Sequence, residues 1–202
     1  AFIWQHQPAL LSVDFARAGH VQLVLRLDGS ASPASKLLES LGRHLLGLDQ
    51  PTREFEEQVG SHPLVGAMVR RQAGLRVPQS ASPFEALSWA IIGQQISVAA
   101  AVSIRRRFIQ TFGRRHSGGL YCYPDATDVL QTDAQALTAC GFSRSKADCL
   151  LTVARACVSD SLLPEFSTPP PRLETLQKAL LKIRGLGPWS VHYALMRGYA
   201  WM

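Results

Sequence analysis

The stretch that most constrains this chain lies near its end: Leu180-Leu-Lys-Ile-Arg-Gly-Leu-Gly-Pro-Trp-Ser-Val-His-Tyr193. Leu173, Leu176, Leu180 and Ile183 recur at spacings of three and four, the apolar face of a helix. Gly185 and Gly187 then break that helix within three residues, because glycine admits backbone conformations other residues avoid. Pro188 suits the first turn of a new helix, where its missing N–H would have had no partner anyway. The pattern is helix, Gly-x-Gly hairpin, helix, over about 172–198. Exposed N–H groups at such a hairpin, together with the positive end of the second helix, make an anion site. Lys182 and Arg184 add charge beside it. A tight helical corner has the same local pattern, so the turn alone does not decide between the two.

The rest of the chain reads as a mainly α protein with a small α+β part at its start. Residues 20–27 alternate, with Val21, Leu23, Leu25 and Leu27 on one side, a half-buried strand ended by a turn at Asp28-Gly29-Ser30. A lone strand leaves two open edges. Its partners are expected from residues 1–18 or from preceding sequence, which makes this part incomplete as it stands. Helices are expected over Ser35–Leu48, Glu54–Val59 and Leu64–Gln72, followed by a Gly/Pro/Ser-rich linker over Gly74–Ser82. Ser82-Pro83-Phe84-Glu85 carries three helix-start signals at once: a Ser cap, a Pro at the first position and a Glu three after the Ser. Gly93-Gln94-Gln95-Ile96 interrupts that helix, and Ser97 caps the next, which stops at Gly113. Arg105-Arg106-Arg107 near its end suit the helix dipole. After a loop over Arg114–Pro124 come short helices from Pro124 and Thr132, a long one from Ser143 to Ser159, and a lead-in at Thr168 and Pro169-Pro170-Pro171. The domain division expected is 1–78, an α+β part with antiparallel strands, and 79–202, a helical domain.

With 47% hydrophobic and 18% charged residues the chain is globular rather than disordered. It has no apolar run of about 18 residues and no basic start before an apolar run, so neither a membrane span nor a signal peptide is expected, and the cytoplasm is. Cys122, Cys140, Cys149 and Cys157 show no C-x-x-C spacing and read as buried or half-buried thiols rather than a metal site. The net charge of +6 is uneven: residues 1–80 carry eight Lys/Arg against seven Asp/Glu, and residues 81–202 thirteen against eight. The excess falls in the helical half, where a nucleic-acid face would need it. A charge of this size also serves solubility alone.

The run Ile-x-Gly-Leu-Gly-Pro-Trp-Ser-x-x-Tyr, with Met196-Arg197 beyond it, resembles the helix-hairpin-helix of the DNA glycosylase superfamily, in particular the AlkA-type 3-methyladenine DNA glycosylases (DNA-3-methyladenine glycosylase II). A second match stands about ninety residues earlier, Phe84-Glu-Ala-Leu-Ser-Trp-Ala-Ile-Ile-Gly-Gln-Gln-Ile-Ser-Val-Ala-Ala-Ala101. The resemblance covers about 75–202 well and the earlier part loosely. It implies a helix-hairpin-helix glycosylase fold and a base-excision enzyme that hydrolyses the N-glycosidic bond of alkylated purines such as 3-methyladenine and 7-methylguanine. The partner implied is double-stranded DNA carrying alkylated bases, met by a monomer. No cofactor is expected beyond a structural monovalent cation, which the family often holds on hairpin carbonyls, here those of Leu181, Arg184 and Gly187.

An alkylated purine carries positive charge, which weakens its bond to the sugar. The enzyme must extrude the nucleotide, stack the base and stabilise an oxocarbenium-like sugar with a carboxylate. Trp189 and Tyr193, four apart, share a helix face and could stack a cationic base, or else pack between helices. Arg184, Gly185, Leu186 and Gly187 form the phosphate-binding hairpin under the resemblance. Lyases of the superfamily place a Schiff-base Lys two residues after the second hairpin Gly; Trp189 stands there, which matches the monofunctional branch. Gln95 falls where AlkA-type enzymes insert a wedge into the gap left by the flipped nucleotide. The family is known for an apolar wedge, and a glutamine is a departure from it. The alternative is that Gln94 and Gln95 cap or bridge helix ends. The family's catalytic Asp is expected about twenty positions after Gly187, beyond Met202, so the C-terminal part of the domain is expected to be missing. A non-catalytic helix-hairpin-helix DNA-binding module, or a glycosylase for another damaged base, are the other readings.

Overall fold

The computed structural model describes residues 1–17, 19–29, 35–164 and 172–201. Ser30, Glu165, the lead-in at Thr168–Pro171 and Met202 lie outside the described residues. The chain opens with three antiparallel strands in the order β1 (Phe2–Trp4), β2 (Gln7–Arg17) and β3 (His20–Leu27). Pairs such as Phe2↔Ala9 and Leu11↔Leu25 set the register. β3 thus pairs with β2, from within residues 1–18, and β1 adds a third strand on the other edge of β2. Alternation turns Leu23, Leu25 and Leu27 to the half-buried face, against α1 (Ser35–Leu45). The approach there is close: a Cβ on Gly42 would sit 2.1 Å from Leu23 Cδ1. Phe2, Trp4, Ala9 and Leu41 form a small core under this sheet.

Several helix limits differ from expectation. α1 stops at Leu45, because Gly47 takes φ +65° and Leu48 turns back to donate to the Arg43 carbonyl at 2.9 Å. Leu48 is exposed instead of continuing the apolar face. α2 (Thr52–Val59) starts two residues early, and α3 (Gly66–Arg71) starts two residues after the exposed Leu64. The Gly/Pro/Ser-rich linker is a hydrogen-bonded strap. Gln79 is buried, donates its N–H to Leu45 O at 3.0 Å and accepts from Ala200 N at 3.1 Å; Ser80 N donates to Arg197 O at 2.8 Å. Its composition predicts irregular backbone, but irregular backbone that crosses a packed surface must still satisfy its polar groups.

The remaining elements are α4 (Pro83–Gly93), α5 (Val98–Phe112), α6 (Ala126–Leu130), α7 (Ala134–Ala139), α8 (Arg144–Ser159), α9 (Leu173–Leu180) and α10 (Pro188–Tyr199). Their starts follow side-chain caps: Ser82 accepts from Glu85 N at 3.1 Å, Ser97 from Ala100 N at 3.2 Å and Ser143 from Lys146 N at 3.4 Å. α6 and α7 begin two residues later than expected, since Asp125 and Asp133 are their caps. The Arg105–Arg107 run does not serve the dipole. Arg105 pairs with the Glu85 carboxylate at 2.5 Å and lies over the rings of Trp89 and Tyr123, and Arg107 donates to Cys140 O at 2.8 Å. Both residues sit more than a turn before the helix end and face neighbouring elements. Burial raises the Glu85 pKa, against the opposing pull of Arg105.

α4 is buried on almost every side and forms the axis of the large core. Leu87, Ile91 and Ile92 pack with Phe108, Leu150, Leu180, Val191 and Leu195, each side chain contributing about 1.5–3 kcal/mol of burial. α10 comes so near α4 that a Cβ on Gly198 would lie 3.1 Å from Pro83 Cα. Cys122, Cys140 and Cys149 are buried and Cys157 is half-buried. Burial pushes the Cys149 thiol up to about 11. Among the described residues no helix is long and apolar enough to cross a membrane.

Candidate functional site

The α9–α10 turn is wound tightly by its own backbone: Leu181 N to Gln177 O at 3.0 Å, Ile183 N to Leu180 O at 3.0 Å and Leu186 N to Ile183 O at 3.1 Å. Gly185 takes φ +97°, and a Cβ there would lie 3.1 Å from both Cβ and Sγ of Cys149 on α8. Gly187 is different. It has φ −98° and ψ 171° at the cap of α10, no side chain caps that helix, and a Cβ would meet nothing within 4 Å. The start of α10 therefore opens outward with bare backbone. Leu186 is buried and anchors the hairpin in the large core, so it offers the surface its backbone alone; Lys182 and Arg184 are exposed.

The α4–α5 turn stands beside it. Gln95 is exposed and takes φ +54°, the left-handed region, without being glycine. Gln94 is the bridge between the turns: its Nε2 donates to Gly185 O and to Ser190 Oγ, both at 2.9 Å. Bridging thus falls to Gln94, while Gln95 points away from the fold. A residue that the motifs do not single out holds this turn from behind. Lys146 of α8 is 9% exposed and donates its Nζ to Ile92 O at 2.9 Å and Gln94 O at 2.7 Å. Burial lowers its pKa from the ordinary lysine value. The sequence does carry a signal for it: Lys146 occupies the first place of an apolar stripe continued by Cys149, Leu150 and Val153, where a lysine is out of pattern.

Between the turns lies an open cavity of about 640 Å³ lined by Gln95, Ser143, Lys146, Gly187 and Trp189, among others. The N-termini of α8 and α10 both border it, which makes it favourable to anions. A second cavity of about 550 Å³ is walled by Trp189, His192, Tyr193, Met196 and Trp201. Trp189 lines both. It is 63% exposed and stacks on the half-buried Tyr193, with centroids 5.3 Å apart and planes at 22°. Packing between helices is therefore not what Trp189 does. His192 meets Trp201 edge-on at 6.1 Å and Gln177 Nε2 at 2.5 Å. His192, Met196 and Trp201 extend the aromatic wall beyond the pair named from sequence; they follow from Trp189 by helical spacing and chain direction. Among the described residues, none that lines either cavity is acidic. The Gly187 carbonyl accepts from Val191 N at 3.1 Å and keeps one lone pair. Among the described residues no cluster of His, Cys, Asp and Glu could hold a metal ion.

Residues 88–198 match the family model described as HhH-GPD superfamily base excision DNA repair protein. A DNA-3-methyladenine glycosylase of Bacillus subtilis (strain 168) is 32% identical over 153 residues, covering 74% of this chain and 50% of the relative. The solved 3-methyladenine DNA-glycosylase from Archaeoglobus fulgidus shares the fold with a TM-score of 0.76 at 22% identity, covering 97% of this chain and 66% of that one. A 3-methyladenine DNA glycosylase of Schizosaccharomyces pombe, solved in complex with abasic DNA, has a TM-score of 0.57 at 26% identity over 71% of this chain and 68% of its own. The chain spans about half the length of the curated relatives it matches.

Proposed function

Since this chain belongs to the HhH-GPD superfamily of base excision DNA repair proteins, we propose that it serves the removal of alkylated purines from double-stranded DNA, by hydrolysis of the N-glycosidic bond after the nucleotide is flipped out. The observation that carries this reading is the exposed Trp189–Tyr193 stack, set beside the cavity on which Gln95 and the start of α10 open. An electron-rich aromatic face suits an electron-poor, cationic base such as 3-methyladenine or 7-methylguanine. N–H groups at the Gly185–Gly187 hairpin would hold a phosphate, with Lys182 and Arg184 adding long-range attraction. The Gln95 amide would fill the stack vacated by the flipped nucleotide. Trp189 occupies the place of the lyase lysine, so the base leaves to water and no Schiff base forms there.

A carboxylate for the oxocarbenium-like sugar would come from outside the described residues of the two cavity walls. A monovalent cation on the carbonyls of Leu181, Arg184 and Gly187 would strengthen the phosphate contact. One copy presents both turns on one face, which suits a monomer on duplex DNA. Three buried thiols and a half-buried fourth suit a reducing compartment, the cytoplasm.

The test is base release. DNA methylated with dimethyl sulfate is incubated with the protein, and free 3-methyladenine and 7-methylguanine are measured by chromatography. Release without strand nicking is the expected result. Tight duplex binding with no release would favour a second reading, a non-catalytic helix-hairpin-helix DNA-binding module. The observation on that side is that no described residue of either cavity wall is acidic.

A further inference from the structure

We propose that Lys146 is a positioning residue: its ammonium, seated on the carbonyls of Ile92 and Gln94, sets the Gln95 turn against the Gly185–Gly187 hairpin, so that a duplex held by the hairpin meets the Gln95 side chain in register. This rests on the DNA-handling role proposed above.

Three observations converge on it. Lys146 is nearly buried, and none of the ion pairs among the described residues includes it. An ammonium in such a place costs desolvation that an apolar side chain of equal length would not. What it gains is a pair of carbonyls at the end of α4, the negative pole of that helix. Next, the turn it holds is strained. Gln95 sits in left-handed backbone as a non-glycine residue, a conformation that persists only where the surroundings restrain it. Last, the same turn is tied forward. Gln94 accepts from Lys146 through its carbonyl and donates through its amide to Gly185 O and Ser190 Oγ. On α8, Cys149 lies three residues from Lys146 and supports Gly185 from below. One face of α8 is thus the common base for both turns: Lys146 under the Gln95 turn, Cys149 under the hairpin.

The experiment uses this chain and a duplex with a tetrahydrofuran abasic-site analogue opposite 2-aminopurine. Two quantities are read: affinity for the undamaged duplex, and the fluorescence change of 2-aminopurine on the abasic duplex at saturating protein. Lys146→Met is expected to hold the undamaged affinity within about twofold, or roughly 0.4 kcal/mol, because its Nζ donates to the Ile92 and Gln94 carbonyls and the phosphate contact lies at the Gly185–Gly187 hairpin. It is expected to lose most of the fluorescence change at saturation, as Gln95→Ala does. Lys146→Arg, which can donate to both carbonyls, is expected to restore it. A merely structural lysine would lower melting temperature without changing the signal of the saturated complex. Full signal from saturated Lys146→Met overturns the proposal, as does a fall in undamaged affinity that accounts for all of the lost signal. Should Lys146→Met not fold, Gln94→Ala cuts the same clasp from its solvent side: loss of signal at saturation supports the proposal and full signal overturns it. If the wild-type chain binds neither duplex, the DNA-handling reading itself falls, a result distinct from a Lys146→Met protein that behaves as wild type.

Discussion

The turn between α4 and α5 and the turn between α9 and α10 face the same cavity, and each contains one residue in left-handed backbone. In the α9–α10 turn that residue is Gly185, where φ +97° would strain a side chain and the 3.1 Å approach to Cys149 would crowd it. In the α4–α5 turn it is Gln95, at φ +54°, with its side chain held out toward solvent. One turn clears side chains away and presents backbone. The other tolerates strain of about 1–2 kcal/mol in order to present a side chain. The contrast separates two tasks: bare N–H groups suit any phosphate, whatever the sequence, and a projecting amide suits a gap in the base stack.

A side chain at the crowded glycine of the hairpin should have the largest effect. Gly185→Ala combines left-handed strain with crowding against Cys149 and should cost about 2–3 kcal/mol. At roughly 2–4 °C per kcal/mol for a domain of this size, the melting temperature should drop by about 4–12 °C. An unchanged melting curve would show that the hairpin relaxes freely and that its glycine is not required. The companion change, Gly187→Ala, should leave melting where it is, since φ −98° is ordinary extended backbone and the space is open. Its methyl should instead obstruct the phosphate, weakening duplex binding by about tenfold, or 1.4 kcal/mol, on every sequence alike. Wild-type affinity should also fall steeply with salt, by about fortyfold for a fourfold rise in concentration if about three phosphates are neutralised. Titrations by fluorescence anisotropy check both; salt-independent binding would remove the phosphate role.

Smaller effects belong to the side chains around the other turn. Trp189→Leu keeps an apolar surface but removes the π face, so release of cationic lesions should lose about 0.5–2 kcal/mol relative to release of a neutral base such as hypoxanthine. Single-turnover excision compares the two; wild-type rates on both would move the base pocket off Trp189 and onto Tyr193. Smallest of all, Gln95→Ala should slow excision from duplex by several-fold more than excision from single strands, because unstacking costs energy in the duplex. Equal losses on the two substrates would make the two turns alike after all, both of them structural.

Much of the site is legible in the residues themselves. Gly185, Gly187 and Pro188 announce the hairpin, Trp189 and Tyr193 fall on one helix face by spacing, and Gln95 lies in the interruption that ends α4. Less legible is the division of labour between the two glutamines, because adjacent residues of one type carry no sign of which points inward. Lys146 escapes notice since a lysine three residues after a Ser cap reads as an ordinary first-turn surface residue, although its place on the apolar stripe says otherwise.

Features closed within three or four residues are set locally. Ser82, Ser97 and Ser143 each reach a backbone N–H three positions on, so these helix starts follow from local geometry whatever the rest of the chain does. Alternation marks β3 for the same reason, since a period of two is a property of the strand itself. Long-range hydrogen bonds find their partners only once the helices have packed. Lys146 meets the Ile92 carbonyl across 54 positions, and Gln94 meets Ser190 across 96. Arg105 leaves the dipole of its own helix for Glu85 on α4. A side chain chooses among such distant partners only after the packed core has fixed how far apart and at what angle the helices lie, and that geometry is a sum over many apolar contacts which no single motif contains.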